Sequence, residues 1–355
     1  MAEPSANIIQ VDEEIPASDF EDEGAEVGSI NTSLTSVSET IIKGVIGEGQ
    51  RTYAAYGKEE YGFPMDDKEL DRIDLCHIKY SALLDKRLFL APVSEEPQRI
   101  LDLGCGTGIW CIDVAEEYPN SEVVGVDIAP TQPEWVPPNC RFELDDIEQE
   151  WTWKDSSTDL IFCRDPICSI RNFPRLMDQI YKNLKPGGWA EFHCVTGVLQ
   201  CDDGSVPKDS HLQAMSDNLG ISCAKFGTPV DDPMRWKGWF QDAGFQNVTE
   251  NVFKLPCGPW PRDKRLKLIG AWEQHNLLHN LEGMTMRLFQ KGLGWTEDEI
   301  LVFSALLRKD IKNLNLHAYW PFYVVYAQKP YGPGGDPAAE SAPEPAAAPP
   351  AADAN

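Results

Sequence analysis

The stretch "ILDLGCGTGIW", residues 100–110, decides the fold. Its first four residues suit a buried strand, glycine then recurs at every second position, and a helical pattern begins after the third glycine. A strand that leads through a glycine turn into a helix is the ligand-binding crossover of an open parallel sheet. Alternate glycines also cost chain entropy, which favours a ligand that approaches the backbone closely. The stretch therefore predicts a binding loop.

The spacing of these glycines disfavours a dinucleotide, and with it a nicotinamide-dependent oxidoreductase. The dinucleotide fingerprint G-x-G-x-x-G needs a glycine where this chain has Ile109. Asp102, near the end of the strand, would repel a pyrophosphate. A carboxylate beside a loop without side chains suits a cationic nucleoside, with an ammonium and a sulfonium group.

The next two strands each supply an acid at the same edge of the sheet. "VVGVD" ends at Asp127, where a carboxylate can accept hydrogen bonds from both ribose hydroxyls. Asp145 and Asp146 follow a third strand, and one of them is expected to bind an adenine amino group. Asp146 is favoured because the apolar Ile147 follows it and can flank the ring.

Short apolar runs alternate with single helical patterns through the middle of the chain. This alternation is typical of a parallel, doubly wound α/β sheet. Before it, an amphipathic helix is predicted from Asp66 to about Leu90, with Asp66 as N-cap and Glu69 three residues later. Two late strand-like segments, "NVTENVFKLP" and "WPFYVVYAQKP", are expected to close the far edge of the sheet.

Both ends of the chain have the composition of disordered segments. Residues 1–48 form an acidic tail, and residues 331–355 form a Pro/Ala tail of low complexity. The formal net charge is −26, to which residues 1–30 contribute nine acids without one Lys or Arg. Because such a charge repels phosphate backbones, no direct nucleic-acid binding is expected.

The sequence carries neither a membrane nor a metal signature. It has no apolar run of about 18 residues and no signal-peptide pattern at its N-terminus, so we expect an intracellular protein, cytoplasmic or nuclear or both. The ten cysteines are scattered without a CxxC pair, which predicts reduced thiols and no metal site.

Five motifs in order resemble those of class I S-adenosylmethionine-dependent methyltransferases: "ILDLGCGTGIW", "VVGVDIAP", "LDDIEQEW", "DLIFCRDPICSIRN" and "LKPGGWAEFH". The flanks, among them "RTYAAYGKEEYGFPMDDKELDRIDLCH" and "NLHAYWPFYVVYAQKP", resemble the fungal LaeA-like methyltransferases over residues 50–330. The resemblance implies a Rossmann-like sheet of seven mostly parallel strands with the last antiparallel. A helical lid is predicted at 49–95, because its amphipathic helix has no place in the windings of the sheet, and a methyltransferase domain is predicted at 96–330 with a helical insertion at about 262–314.

The motifs and the resemblance together give a set of candidate site residues. S-adenosylmethionine is expected to contact Asp102, Gly104, Cys105, Gly106, Gly108, Asp127, Ile128, Asp146, Ile147 and Arg164. The predicted substrate or lid residues are Tyr53, Tyr56, Tyr61, His77 and Asp165. His193 is the predicted general base. Three simpler interpretations remain open. His77 is a core histidine, the three tyrosines only pack against their neighbours, and Arg164 and Asp165 form an exposed ion pair.

The resemblance implies methyl transfer to a small secondary metabolite or to a protein. The family includes regulators of secondary metabolism that act in the nucleus with velvet proteins, so a velvet-type protein is an expected partner. The alternative function is a cofactor-binding interaction protein with little catalysis of its own.

Overall fold

The computed structural model describes residue 9 and residues 39–57 and 61–332. The greater part of both predicted tails therefore lies outside the described residues, as do residues 58–60. In the described part, no helix is long and apolar enough to cross a membrane. All ten cysteines are free thiols, and all but Cys201 are buried.

Ten strands and eight α-helices form the described chain. The strands are β1 (Val45–Ile46), β2 (Thr52–Tyr53), β3 (Arg99–Leu103), β4 (Glu122–Asp127), β5 (Cys140–Leu144), β6 (Thr158–Arg164), β7 (Leu184–Val195), β8 (Gln200–Cys201), β9 (Gln246–Pro256) and β10 (Ala318–Gln328). The helices are α1 (Glu39–Lys43), α2 (Asp67–Leu83), α3 (Ile109–Glu117), α4 (Phe173–Asn183), α5 (His211–Lys225), α6 (Trp236–Asp242), α7 (Lys264–Leu293) and α8 (Glu297–Ile311).

The central sheet has the predicted mostly parallel topology. Its order is β5-β4-β3-β6-β7-β10, with β9 pairing on the outer side of β10. The strands from β5 to β7 are parallel, whereas β10 is antiparallel to both β7 and β9. The two-residue β8 pairs with the start of β10 and adds an eighth strand to the seven long ones. The last strand thus lies inside the sheet, and β9 forms its edge.

Alternation along β3 explains why helices cover both faces of the sheet. Ile100 packs with α3 on one face, whereas Leu101 and Leu103 pack with α4 and α6 on the other. Asp102 follows Ile100 by two residues and therefore faces α3, where Cys111 donates a hydrogen bond to it. The strand that holds the first acid is thus buried on both faces.

A helical layer of α2, α5, α7 and α8 packs at the carboxyl ends of the strands around its own apolar core. The predicted N-cap at Asp66 is present, since its side chain accepts from the backbone N–H of Glu69 at 3.3 Å. The helix ends at Leu83 rather than near Leu90. Asp85 and Lys86 both have positive φ angles, 55° and 65°, and this left-handed backbone cannot continue an α-helix.

The predicted boundary of the acidic tail at residue 48 is wrong. Residues 39–48 include α1 and β1, and β1 pairs antiparallel with β2. Glu48 forms an ion pair with Arg287 of α7 at 2.7 Å. Composition misled the prediction here because this short apolar and acidic segment gains its stability from α7, which is remote in sequence.

Candidate cofactor and acceptor site

A cavity of about 250 Å³ lies at the carboxyl ends of β3, β4 and β6 and extends under the helical layer. The glycine loop and the segment after β5 line one part of it. Residues of α2, α5 and α7 line another part. The sheet places the loop and Asp127 on the same side, as the crossover predicts.

The glycine loop follows β3 and is held by β4. The backbone N–H groups of Gly104 and Cys105 both donate to the carbonyl of Val126, at 2.8 and 3.0 Å. Gly104 has φ +73°, and a Cβ built on it would meet no atom within 4 Å. Gly104, Cys105 and Gly106 line the cavity, so the loop offers a ligand bare backbone.

Gly108 has a different role from the one predicted. It does not line the cavity, and a Cβ built on it would lie 2.3 Å from the Phe142 ring. Its φ is +77° at the N-cap of α3. Gly108 therefore allows α3 to pack against β5 and makes no direct contribution to the cavity.

Asp127 ends β4 beside the loop. Its two carboxylate oxygens accept backbone hydrogen bonds, one from Gly106 at 2.8 Å and the other from Ala129 at 2.9 Å. Burial raises its pKa to about 6, although these backbone donors favour the charged form. A carboxylate has about four acceptor sites, so the group can still accept a hydrogen bond from a ribose hydroxyl.

Asp102 also lines the cavity and is only 2% exposed. The Cys111 thiol lies 3.2 Å from its Oδ2. Burial raises the pKa of Asp102 to about 7, against the opposing effect of the Arg164 charge. A ligand that brings a positive charge into the cavity would stabilise the ionised form of this buried carboxyl.

The segments after β4 and β5 contain the residues predicted to form the nucleoside edge. Ile128, Asp145, Asp146 and Ile147 all line the cavity. Asp146 accepts from the backbone N–H of Glu148 at 3.0 Å, which fixes its carboxylate. Both acids border the same space, as expected for an amino-group partner.

Arg164 is the last residue of β6 and lines the cavity, and His77 contacts its guanidinium group. The guanidinium Nη1 lies 3.1 Å from His77 Nδ1, and His77 Nε2 lies 2.8 Å from Asp113 Oδ2. Because Arg can only donate, His77 accepts at Nδ1 and carries its hydrogen on Nε2. His77 is buried and is not among the residues that line the cavity, as expected of a core histidine.

Asp165, the next residue, lines the cavity together with Tyr80 of α2. The Tyr80 hydroxyl donates to Asp165 Oδ2 at 2.9 Å, and its ring stacks on Phe322 with centroids 4.5 Å apart. The other oxygen, Oδ1, is buried without a hydrogen-bond partner among the described residues. The pair Arg164–Asp165 is therefore not an exposed ion pair.

Known proteins share both the domain and most of the length of this chain. Residues 76–250 match the model of a methyltransferase domain family. The methyltransferase pytC of Aspergillus terreus is 38% identical over 331 residues, 93% of this chain and 98% of its own. The secondary metabolism regulator LAE1 of Cochliobolus heterostrophus is 35% identical, over 80% of this chain and 94% of its own. The protein-methionine methyltransferase laeA of Emericella nidulans is 32% identical, over 80% of this chain and 76% of its own.

The chain belongs to the LaeA-like family of fungal methyltransferases. This LaeA-like enzyme uses S-adenosylmethionine, and the described residues fit it. Gly104 leaves open a space next to the loop that a side chain would enter. Asp127 can accept from ribose hydroxyls, and Asp102 offers a buried carboxylate to an ammonium group. The bound cofactor supplies a methyl carbon activated by its sulfonium.

The structure contradicts the prediction that His193 reaches the acceptor. His193 is 1% exposed and is not among the described residues that line the cavity. Its Nε2 lies 2.5 Å from Glu191 Oε1, and its ring packs edge-on against Phe162 and Phe322. Glu191 also accepts from the backbone of Leu90. The alternation of side chains along β7 correctly predicted the face of the sheet on which His193 lies. Other side chains cover that face at His193.

The three predicted lid tyrosines have different positions. Tyr61 lines the cavity, whereas Tyr53 and Tyr56 do not. Tyr53 is fully buried under Arg287, whose guanidinium carbon lies 3.3 Å from its ring centroid. Burial raises the pKa of Tyr56, and the charges of Asp145 and Asp146 raise it further, which places Tyr56 near the nucleoside edge.

Sequence reasoning missed several residues on the α2–α7 side of the cavity. Lys79, Tyr80, Glu273 and Asn276 all line it. Adjacent Lys79 and Tyr80 on an otherwise apolar helix face gave a weak signal. No local signal connects them with Glu273, which lies 194 residues further along the chain.

Proposed function

We propose that this methyltransferase acts on a small, largely apolar metabolite bound in an acceptor chamber beneath the helical layer. The observation that carries the proposal is the lining of this chamber. Its apolar side chains come from β7, α5, α7, β10 and the connecting loops: Ile167, Val195, Met215, Leu219, Val230, Leu277, Met284 and Trp320.

The chamber provides what methyl transfer requires from the protein. A sulfonium methyl reacts by in-line displacement, so alignment of the acceptor and exclusion of water are the main contributions of the enzyme. α2 closes the chamber above the glycine loop, where the Thr107 hydroxyl donates to Asp74 of α2 at 2.7 Å. Asp165, which lines the cavity and accepts from the Tyr80 hydroxyl, replaces His193 as the candidate base for a hydroxyl or amine acceptor.

Relatives support a role in secondary metabolism, since one of them, LAE1, is named a secondary metabolism regulator. A methionine side chain of a protein is the second candidate acceptor. One relative is named a protein-methionine methyltransferase, and a thioether is apolar enough for the chamber.

Transfer of tritium from methyl-labelled S-adenosylmethionine distinguishes these acceptors. Purified enzyme is incubated with a fungal metabolite extract and, separately, with a fungal protein extract. The proposal expects counts in the organic-soluble fraction that are absent with Asp127→Ala. Counts only in acid-precipitated protein would indicate the protein acceptor instead. Absence of counts from both fractions would favour the interaction protein with little catalysis.

A further inference from the structure

We propose that Glu273 anchors the methyl acceptor by accepting a hydrogen bond from a neutral donor, a hydroxyl or an amide N–H, on an otherwise apolar molecule. This inference rests on the proposed function, because it assigns a recognition group to the acceptor chamber. It defines the acceptor class as an apolar body with one uncharged donor.

Glu273 has one oxygen in use and one without a partner. The residue is 3% exposed on α7 and lines the cavity. Lys79 of α2 donates to its Oε2, and Asn276 Nδ2 donates to the same oxygen at 3.2 Å. No described residue donates to Oε1. Oε1 therefore remains open to the cavity, and a ligand in the chamber can donate a hydrogen bond to it.

The anchor, Glu273, belongs to the acceptor chamber and not to the part of the cavity that the glycine loop lines. Leu277 follows Glu273 by one helical turn, so both residues lie on the same face of α7. Lys79 is adjacent to Tyr80, whose hydroxyl contacts Asp165 at the end of β6. A molecule held by Glu273 is therefore bound in the cavity that also contains the candidate base.

The charge of the cluster selects a neutral ligand. Lys79 is 1% exposed and is paired with Glu273, so the two charges compensate each other. A charged acceptor would therefore lose its hydration without gaining a net opposite charge from this pair. An uncharged donor gains a hydrogen bond to an ionised oxygen, which is stronger than one between neutral groups.

Two probe compounds with the same apolar body test the anchor without turnover. Binding of 2-naphthol and of 2-methoxynaphthalene is measured by calorimetry with saturating S-adenosylhomocysteine. The hydroxyl compound is expected to bind the wild-type enzyme about tenfold more tightly, as for a hydrogen bond to a charged group. Equal affinities, or binding of neither compound, would overturn the proposal.

The double variant Lys79→Met/Glu273→Leu tests whether the preference for 2-naphthol comes from the anchor. Replacing a buried ion pair by apolar residues of similar volume generally preserves the fold. The preference for 2-naphthol should disappear in this variant and persist in Glu282→Leu/Arg308→Met, which removes an ion pair between α7 and α8 that does not line the cavity. A preference that survives in the first variant contradicts the anchor.

Glu273→Gln is the second variant if the double variant does not fold. It keeps the shape of the side chain but replaces the charged acceptor with an amide, so the preference should fall by about threefold or more. An unchanged preference in Glu273→Gln would then refute the anchor. If the enzyme prefers 2-naphthol but methylates no metabolite, only the proposed function is refuted. If it methylates metabolites but shows no preference for 2-naphthol, only the anchor is refuted.

Discussion

Asp102 shows how a single residue combines burial with ligand binding. Its side chain lies at the cavity, and burial raises its pKa to about 7. The carboxyl is therefore mostly protonated at pH 5, and a cationic ligand favours its ionised form. Binding of the cofactor then releases a proton, so affinity must rise with pH.

We predict that the affinity for S-adenosylmethionine rises from pH 5 to pH 7, by up to about tenfold per unit for each proton released. Asp127, whose pKa is about 6, adds to the slope at the acidic end. Asp102→Asn should bind more weakly at pH 7 and show a shallower slope. Calorimetry in two buffers of different ionisation enthalpy measures the proton release. Equal slopes in the two proteins would exclude Asp102 as its source.

Gly104 and Gly108 form a matched pair for substitution, because both have positive φ near 75° but different surroundings. Gly108→Ala forces Cβ into the Phe142 ring and should lower the free energy of unfolding by about 2 kcal/mol more than Gly104→Ala does. Gly104→Ala should instead have the larger effect on cofactor affinity. Thermal unfolding and calorimetry on both variants test this, and the reverse order would contradict the assignment.

At the scale of elements, the long helix α7 joins the N-terminal segment to the cavity. Arg287 donates to Glu48 at 2.7 Å and to the carbonyl of Tyr61 at 3.0 Å, and it stacks on Tyr53. Tyr61 lines the cavity, so the same arginine fixes part of its wall. These contacts hold the segment around residues 44–53 against α7.

Arg287→Met should lower the free energy of unfolding by about 2 kcal/mol, because it keeps the apolar stem but leaves two acceptors without their donor. Cofactor binding should weaken because the Tyr61 backbone loses its support. Lys291→Met is the control, since Lys291 contacts the same Glu48 at 3.4 Å from a more exposed position and should cost less than about 1 kcal/mol. Denaturant unfolding measures both. Equal losses would mean that Arg287 is no more than a surface partner.

At the scale of the whole molecule, a pair of truncations locates the N-terminal boundary of the fold. Removal of residues 1–38 and 333–355 should leave cofactor affinity within about twofold, because their composition favours disorder. Removal of residues 1–48 also deletes β1 and the Glu48–Arg287 ion pair, and it should lower the melting temperature by several degrees. Thermal unfolding of the two truncated chains compares them. Identical melting temperatures would show that β1 contributes nothing.

Local sequence determined the parts of this protein in which the interacting residues are close along the chain. A single strand-loop-helix crossover brings Asp102, the glycine loop and Asp127 together, because parallel neighbouring strands end at the same edge. The N-cap of α2 is present as predicted, and the capping box of α8, Thr296 with Glu299, likewise depends on residues three apart. The mostly parallel sheet was predictable for the same reason.

Tertiary structure alone decided which side chains reach the cavity. Strand alternation indicates the face of a residue but not what covers that face, so His193 is buried although its position on β7 suggested a base. Lys79 meets Glu273 across 194 residues, and Gly108 meets Phe142 from another strand. These contacts depend on how α2 and α7 pack over the sheet and how α3 packs against it. Such packing sums many weak long-range contacts that no short stretch of sequence contains.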